Sequence, residues 1–256
     1  VGPTDYDGVL TGPFTAHPKI CPKTGEMLGF GYSMMEPYLT YLRVSATGEL
    51  VQVENITVGG PTMMHDFNVT QNHVVFMDLP VCFNLGALET GVPFQFNRDA
   101  GARLGVMPRN GTNADVRWFE IDPCYVFHPV NAHESGNTIV LHVSRQPEAF
   151  GSSNDDYAEV GRLWKWTIDL DAGTVTEEQI DDRPGDFGRV DDRLVGLDAG
   201  RVREGLREIL AFAPQPEVQA EVRGRDLMTG LPKKADVVGV SLCEYESSAV
   251  TRGSKI

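Results

Sequence analysis

The sequence predicts an all-β protein built from many short antiparallel strands. Seven segments are short, rich in aromatic and β-branched residues, and bounded by Gly, Pro, Asn or Asp, a composition that is typical of strands. Turn sequences that place Gly or Asn where a hairpin needs a positive φ accompany these segments. Strands at this spacing are compatible with a sandwich, a barrel or a propeller, and the number of hairpins does not choose among them.

The predicted elements follow one another as strand, turn and strand. The first three strands, MLGFGYS, YLTYLRVSA and LVQVENITV, lie within 27–58, with the turns PKTGEM and SATGEL beside them. HVVFMDLPV begins at His73, and DVRWFEI follows the turn RNGTNA. TIVLHVSR and RLWKWTIDL come next, and the acidic stretch DLDAGTVTEEQIDD predicts a solvated hairpin. Only residues 204–213, EGLREILAFA, have the spacing of a helix.

The charge and cysteine content argue against several classes of protein. Across 256 residues the formal net charge is −14 and no basic stripe is visible, so we expect no nucleic-acid partner. No run approaches the roughly 20 apolar residues of a membrane helix, and the N-terminus lacks the features of a signal peptide. The four cysteines form no CxxC pair, which predicts neither a zinc ribbon nor a disulfide framework and favours a reducing cytoplasm. They are Cys21, Cys82, Cys124 and Cys243.

Three of the six histidines lie in distinctive sequence contexts. His17 lies in FTAHPKI, His65 in MMHDFNV and His128 in YVFHPVNAHE. These positions are 48 and 63 residues apart, comparable with or somewhat longer than the roughly 40–50 residues of a four-stranded propeller blade. One histidine at the same place in each blade would aim all three at a central axis, where imidazoles can bind one metal ion. The alternative is that each is a hydrogen-bonded structural residue.

Five longer motifs extend these contexts along the chain. They are FTAHPK with PKTGEM after it, MMHDFNVTQNHVVFMDLP, YVFHPVNAHE, LWKWTIDL and DFGRVDDRLVGL. Their order and approximate spacing, over about residues 8–198, resemble the carotenoid cleavage oxygenase family, which includes the bacterial lignostilbene dioxygenases. The resemblance implies a seven-bladed β-propeller that binds a nonheme Fe(II) through four histidines and uses dioxygen to split a conjugated carbon–carbon double bond into two carbonyl products. His17, His65 and His128 match the first three ligands.

The resemblance also implies that this chain covers only part of such a propeller. The family places its fourth histidine in a Gly-Phe-His-Gly segment and carries part of its substrate pocket on an N-terminal blade, and the sequence contains neither. We therefore interpret residues 1–200 as central blades and residues 201–256 as a divergent segment, either a partial blade or a poorly ordered tail. A chain of this length is expected to form about four or five blades, whose open sheet edges favour self-association.

The family orients its metal-binding imidazoles with glutamates, and two acidic residues are candidates for that role here. Asp186 stands before the F-x-R-V motif and is one methylene shorter than glutamate, so its carboxylate has less reach. Gly188 occupies the position of the family's usual proline, which predicts a looser turn. Glu134, six residues after His128, is the second candidate, and a surface ion pair is its alternative role. Asp66 is not expected to bind the metal, because successive strand residues face opposite sides.

The remaining histidines are predicted to be structural. His73 is expected at a strand edge, His133 is expected to point away from the metal, and His142 is expected to be a hydrogen-bonded residue of a sheet. Three phenylalanines beside the candidate ligands are either core residues or walls of an apolar tunnel, and core packing is the default. These are Phe14, Phe67 and Phe127.

Three functions are compatible with these patterns. The resemblance implies a dioxygenase whose partners are dioxygen and an apolar conjugated substrate, either an apocarotenoid or a stilbene-like phenylpropanoid. The alternative is a noncatalytic propeller remnant with an incomplete three-histidine site. A third interpretation is a zinc-dependent hydrolase, since three histidines and a water also bind zinc. Peripheral contact with a membrane would supply an apolar substrate, although no segment of the sequence itself indicates such contact.

Overall fold

The structure is a computed structural model. It describes residues 5–84, 86, 93–150 and 161–199. All of these belong to the first of two units of the chain, Val1–Leu210, and the second unit, Ala211–Ile256, lies outside the described residues. The predicted helix and the divergent C-terminal segment also lie outside them, so both stay predictions.

The described residues form fourteen strands and three short 3-10 helices. The strands are β1 (Lys19–Ile20), β2 (Met27–Tyr32), β3 (Leu39–Val44), β4 (Leu50–Ile56), β5 (Asn68–Val69), β6 (His73–Asp78), β7 (Val81–Phe83), β8 (Phe94–Phe96), β9 (Ala102–Pro108), β10 (Arg117–Ile121), β11 (Pro129–Ser135), β12 (Thr138–Arg145), β13 (Arg162–Asp169) and β14 (Thr174–Pro184). The helices are Arg98–Ala100, Asn113–Asp115 and Asp192–Leu194.

Twelve of the strands build three four-stranded antiparallel sheets. The first sheet has the order β1-β2-β3-β4, the second β5-β6-β9-β10, and the third β11-β12-β13-β14, while β7 and β8 form a separate hairpin between β6 and β9. Each sheet follows the order of the chain, which is the up-and-down arrangement of a propeller blade. The predicted all-β class is therefore confirmed, and the described residues account for three of the blades.

The core consists of two apolar layers, one on each face of the second sheet. Val74 and Phe76 of β6 pack in the layer shared with the first sheet, whereas Val75 and Met77 pack in the layer shared with the third. A strand that is buried on both faces appears in the sequence as a continuous apolar run, as in VVFM of β6. The second sheet therefore packs face to face against the first sheet on one side and against the third sheet on the other.

The strands that sequence analysis misses are very short or contain residues that are unusual in strands. The segment of β5 has only two residues, and β11 begins with Pro129 and carries several polar side chains. Gly105 interrupts the strand pattern of the β9 sequence. A glycine is needed there because a Cβ would lie 2.6 Å from the ring of Trp118. These strands are recognisable only from their pairing partners.

The hairpin turns mostly follow the predicted chemistry. Gly48 and Gly173 have φ values of 87° and 72°, a conformation that glycine adopts without strain. The turn RNGTNA is different, since none of its residues has a positive φ and it continues into the helix Asn113–Asp115, which begins with a capping box of Thr112 and Asp115. Within the described residues, no helix has the length and apolar character needed to cross a membrane.

Candidate metal centre

Each of the three distinctive histidines lies just before the first strand of its sheet. His17 precedes β1, His65 precedes β5, and His128 is followed directly by β11. The backbone before β1 is fixed by the N–H of His17, which donates to Thr15 Oγ1 at 3.0 Å. The equivalent placement in three consecutive sheets brings together side chains that are far apart in sequence.

The three imidazoles converge on one point. One ring nitrogen of each lies within 4.8 Å of the corresponding nitrogens of the other two, and the ring centroids are 4.9–5.1 Å apart. The Nε2 atoms of His17 and His65 are separated by 3.1 Å. Two nitrogens that bind one ion at about 2.0–2.1 Å lie about 3 Å apart at right angles, so this spacing fits a shared metal ion.

Burial keeps two of these imidazoles neutral at physiological pH. It lowers the pKa of His17 to about 4. Burial, together with the charges of the neighbouring His128 and His17, lowers the pKa of His65 to about 3. A neutral imidazole offers a lone pair to a cation, and imidazole donors suit iron, zinc, copper and nickel. The donor set therefore fits a transition-metal ion.

Asp186 and Phe187 hold the third imidazole from two directions. His128 Nδ1 lies 3.1 Å from Asp186 Oδ2, and a contact in which Nδ1 donates to the carboxylate leaves Nε2 as the nitrogen that can face a metal ion. The ring of Phe187 stacks on His128 with centroids 3.8 Å apart. Phe187 adopts a φ of 58°, a strained conformation for a bulky residue, and its N–H donates to Asp186 Oδ1 at 2.8 Å. The shorter aspartate thus reaches the imidazole after all.

Glu134 lies with a different set of partners. Its carboxylate accepts from His73 Nδ1 at 3.0 Å, from Asn72 N and Nδ2 at 2.9 and 2.6 Å, and from Thr70 Oγ1. Among the described residues it makes no hydrogen bond to the three clustered imidazoles. The expectation that Glu134 orients a metal-binding histidine therefore has to be corrected. Glu134 instead joins β11 to the turn between β5 and β6 through partly buried hydrogen bonds.

The turn at Gly188 is packed more tightly than the sequence suggests. Gly188 is buried, and a Cβ at this position would lie 2.8 Å from Val130 Cγ2 of β11. The β-branched Val130 occupies the space that a larger residue would need, and the looser turn expected from the missing proline stays a prediction.

We predict that Gly188→Ala lowers the free energy of unfolding by about 1–2 kcal/mol, because Val130 would have to shift. Urea denaturation should show a smaller cost for the same change in a Val130→Ala background. Gly60→Ala is the matched control, since no atom lies within 4 Å of a Cβ at Gly60. An equal cost of Gly188→Ala in both backgrounds would contradict this account.

The other histidines lie away from the cluster. His73 binds Glu134 at the start of β6, as its strand-edge prediction allows. His133 and His142 form a second pair on neighbouring strands, with ring centroids 6.3 Å apart. Burial lowers the pKa of His142 to about 4. The expectation that His142 is fully hydrogen-bonded is wrong, because its buried Nδ1 has no hydrogen-bond partner within the described part of the chain.

The phenylalanines beside the histidines are mainly core residues. Phe67 is fully buried in the layer between the first two sheets. Phe127 belongs to the other layer and also meets the ring of His65 edge-on, with centroids 5.5 Å apart. Phe14 is half-buried, and its ring lies across Gly29. Phe127 therefore serves both the core and the wall of the site.

Sequence analysis missed two residues next to the site, Phe187 and Lys19. Nothing in the sequence indicates the left-handed backbone of Phe187, whose N–H donates to Asp186 and whose ring stacks on the remote His128. Lys19 forms an ion pair with Asp66. Two signals pointed to it: a cation follows His17 at the second position, and an acid directly follows His65.

Comparison with known proteins gives consistent matches. The family described as retinal pigment epithelial membrane protein matches residues 1–202. A carotenoid cleavage oxygenase of Mycobacterium tuberculosis is 36% identical over 246 residues, covering 77% of this chain and 48% of the relative. An isoeugenol monooxygenase of Pseudomonas putida is 35% identical over 184 residues, covering 67% of this chain and 38% of the relative.

Solved structures agree with these matches. The crystal structure of Pseudomonas brassicacearum lignostilbene dioxygenase superposes with a TM-score of 0.69 at 30% identity, covering 77% of this chain and 45% of that one. The chain thus spans about half the length of the relatives it matches, or less.

Proposed function

Because this chain belongs to the family of retinal pigment epithelial membrane protein and the carotenoid cleavage oxygenases, we propose that it acts as a nonheme Fe(II) dioxygenase. His17, His65 and His128 would hold the ion. The reaction would cleave a conjugated carbon–carbon double bond of an apocarotenoid or a stilbene-like substrate with dioxygen, one oxygen atom entering each of the two carbonyl products. The convergence of three imidazoles from three consecutive sheets carries this proposal.

Ferrous iron would supply the electrons that activate dioxygen toward an alkene. The role of the three histidines would be to present a nitrogen lone pair to the ion. Neutral His17 and His65 present nitrogen donors without having to lose a proton at neutral pH. Asp186 keeps the proton of His128 on Nδ1, and the ring of Phe187 restricts the rotation of that imidazole.

A row of aromatic rings supports an apolar, conjugated substrate. It leads from His65 to the β7–β8 hairpin, through Phe127, Phe150, Phe94 and Phe83, with successive centroids 5.5–6.3 Å apart. Aromatic side chains offer flat apolar surface, which suits a planar unsaturated molecule. The names of the lignostilbene and isoeugenol enzymes among the relatives fit the stilbene-like alternative, and those of the carotenoid enzymes fit the apocarotenoid.

The two alternatives retain specific support. A donor set of three imidazoles is also the pattern of a zinc site, which keeps the hydrolase interpretation open to test. A noncatalytic protein with a three-histidine site remains the second candidate, since three imidazoles are what the described residues bring together.

We predict that the protein binds Fe(II) under anaerobic conditions, consumes dioxygen and forms aldehydes slowly from a stilbene or an apocarotenoid. For these 256 residues taken alone, turnover should be slow because three imidazoles hold the ion more weakly than four would. Metal analysis, an oxygen electrode and aldehyde detection measure the three steps, with Zn²⁺-loaded protein as the control. Iron binding without coupled oxygen uptake would favour the noncatalytic protein, and retention of zinc alone would favour the hydrolase.

Location and association stay predictions. Cys21, Cys82 and Cys124 are free in the structure, as expected for a reducing cytoplasm. Val51 and Val53 are exposed on β4, the last strand of the first sheet, where self-association through an open edge would occur. Peripheral contact with a membrane, as a route for an apolar substrate, rests on the resemblance.

A further inference from the structure

An ion pair joins two of the segments that carry the clustered histidines. Lys19 Nζ lies 2.7 Å from Asp66 Oδ1 and 2.9 Å from Asp66 Oδ2. The lysine side chain is 21% exposed and the aspartate side chain only 4%. Lys19 is the second residue after His17, and Asp66 directly follows His65. The pair therefore connects the first sheet to the second beside the metal centre.

Both ends of this ion pair are anchored in rigid structure. Asp66 Oδ1 also accepts from the N–H of Phe67 at 2.7 Å, and the Phe67 side chain is fully buried. Lys19 begins β1 and pairs with Leu28 of β2. A contact between two anchored groups transmits their relative position to the residues next to them.

Stability alone is a weak reason for this contact. Burying two charges costs most of what their attraction returns, so an apolar pair of similar size would stabilise the fold at least as well. Unlike an apolar pair, a charged pair restricts the relative position of the two segments, because a buried carboxylate that is separated from its cation is strongly disfavoured. Lys19 and Asp66 therefore permit one arrangement of the two sheets at this point.

We propose that Lys19 and Asp66 are positioning residues that set the separation of His17 and His65 without touching the metal themselves. The 3.1 Å between the two Nε2 atoms then depends on a contact made one and two residues away. This inference rests on the proposed metal centre. It assigns a role to Asp66, which directly follows His65 in the chain but does not itself bind the metal.

The test is titration of the whole chain with Co²⁺, a divalent ion that is stable in air. Lys19→Met and Asp66→Asn should each weaken Co²⁺ binding about tenfold, the size of effect seen when groups outside the ligand set are changed. Lys19→Arg, which keeps the charge, should remain within about twofold of the unchanged protein. The double variant should bind about as weakly as either single variant, because the two changes remove one contact.

Lys23→Met is the matched control. Lys23 Nζ also reaches from the first sheet to the second, where it donates to Gln71 Oε1 at 2.6 Å, but this contact is exposed. Its removal should leave Co²⁺ affinity unchanged. The visible absorption of bound Co²⁺ is a second measurement, and Lys19→Met should alter it because the ligand geometry changes. Far-UV circular dichroism checks folding, and Lys19→Gln replaces Lys19→Met if that variant does not fold.

The outcomes separate this inference from the proposed function. Weaker Co²⁺ binding and an altered absorption spectrum in the folded Lys19 and Asp66 variants, with Lys23→Met unchanged, would support the positioning role. Co²⁺ binding by the unchanged protein together with the same affinity and spectrum in the folded variants would overturn the positioning role alone. Failure of the unchanged protein to bind Co²⁺ would overturn the metal centre and this inference with it.

Discussion

His65→Ala should weaken metal binding strongly, raising the Kd for Co²⁺ or Fe(II) more than about 100-fold. Changes outside a ligand set cost about 10–100-fold, so removal of a ligand should cost more. The ring of His65 meets those of His17, His128 and Phe127 at centroid distances of 4.9–5.5 Å, so its loss would remove one of the three clustered nitrogen donors. Without His65, only the imidazoles of His17 and His128 would remain to bind the ion.

The effect can be measured as a metal-dependent shift of unfolding. A ligand present at 100 times its Kd stabilises the folded state by about 2.7 kcal/mol, and the variant should lose this gain. His133→Ala is the control, because His133 is another partly buried imidazole outside the cluster. A variant lacking His65 that keeps the full metal-dependent shift would remove the basis of the proposed site.

Glu134→Ala should lower the free energy of unfolding by about 3 kcal/mol at neutral pH. The carboxylate accepts hydrogen bonds from Thr70, Asn72 and His73, and its side chain is only 19% exposed. Removing it would leave these donors without their acceptor in a partly buried place, which costs more than the net value of the bonds. Chemical denaturation at pH 7 measures the change.

The same carboxylate should make stability depend on pH in a defined range. Burial alone would raise the pKa of Glu134, but the bonds from His73, Thr70 and Asn72 outweigh it and lower the pKa from 4.5 to about 2. A group with a lowered folded-state pKa contributes its full stability above the unfolded value. The contribution should therefore be present above pH 4.5 and be lost as the pH falls toward 2.

Glu178→Ala is the matched control for Glu134→Ala. Glu178 pairs with Lys165, but its side chain is 50% exposed. An exposed pair contributes about 0.2–1 kcal/mol, so the control should change little and leave the acid range of the profile intact. Equal losses for the two variants would contradict the account of Glu134 as a link between β11 and the second sheet.

Local sequence pattern was sufficient to identify the all-β class and seven of the fourteen strands in the described residues, and it singled out the three histidines as candidates. A strand is recognisable when its side chains alternate or form an apolar run, as in the segments around Phe76 and Leu141. The histidines were recognisable because each lies in a distinctive motif, and the resemblance carried by these motifs implies that they are metal ligands. Strand patterns and local motifs consist of residues that are adjacent in the chain, so they can be recognised without the three-dimensional structure.

The partners of the acidic residues depended instead on contacts between distant segments. Asp186 and Glu134 were both candidates in the sequence, yet Asp186 reaches His128 across 58 residues while Glu134 reaches His73 across 61. The strain at Phe187 and the tight packing of Gly188 likewise arise where the segment after β14 returns to β11. A hydrogen bond needs its two atoms within about 3 Å, and that distance between remote residues is set by how the apolar layers pack the sheets together.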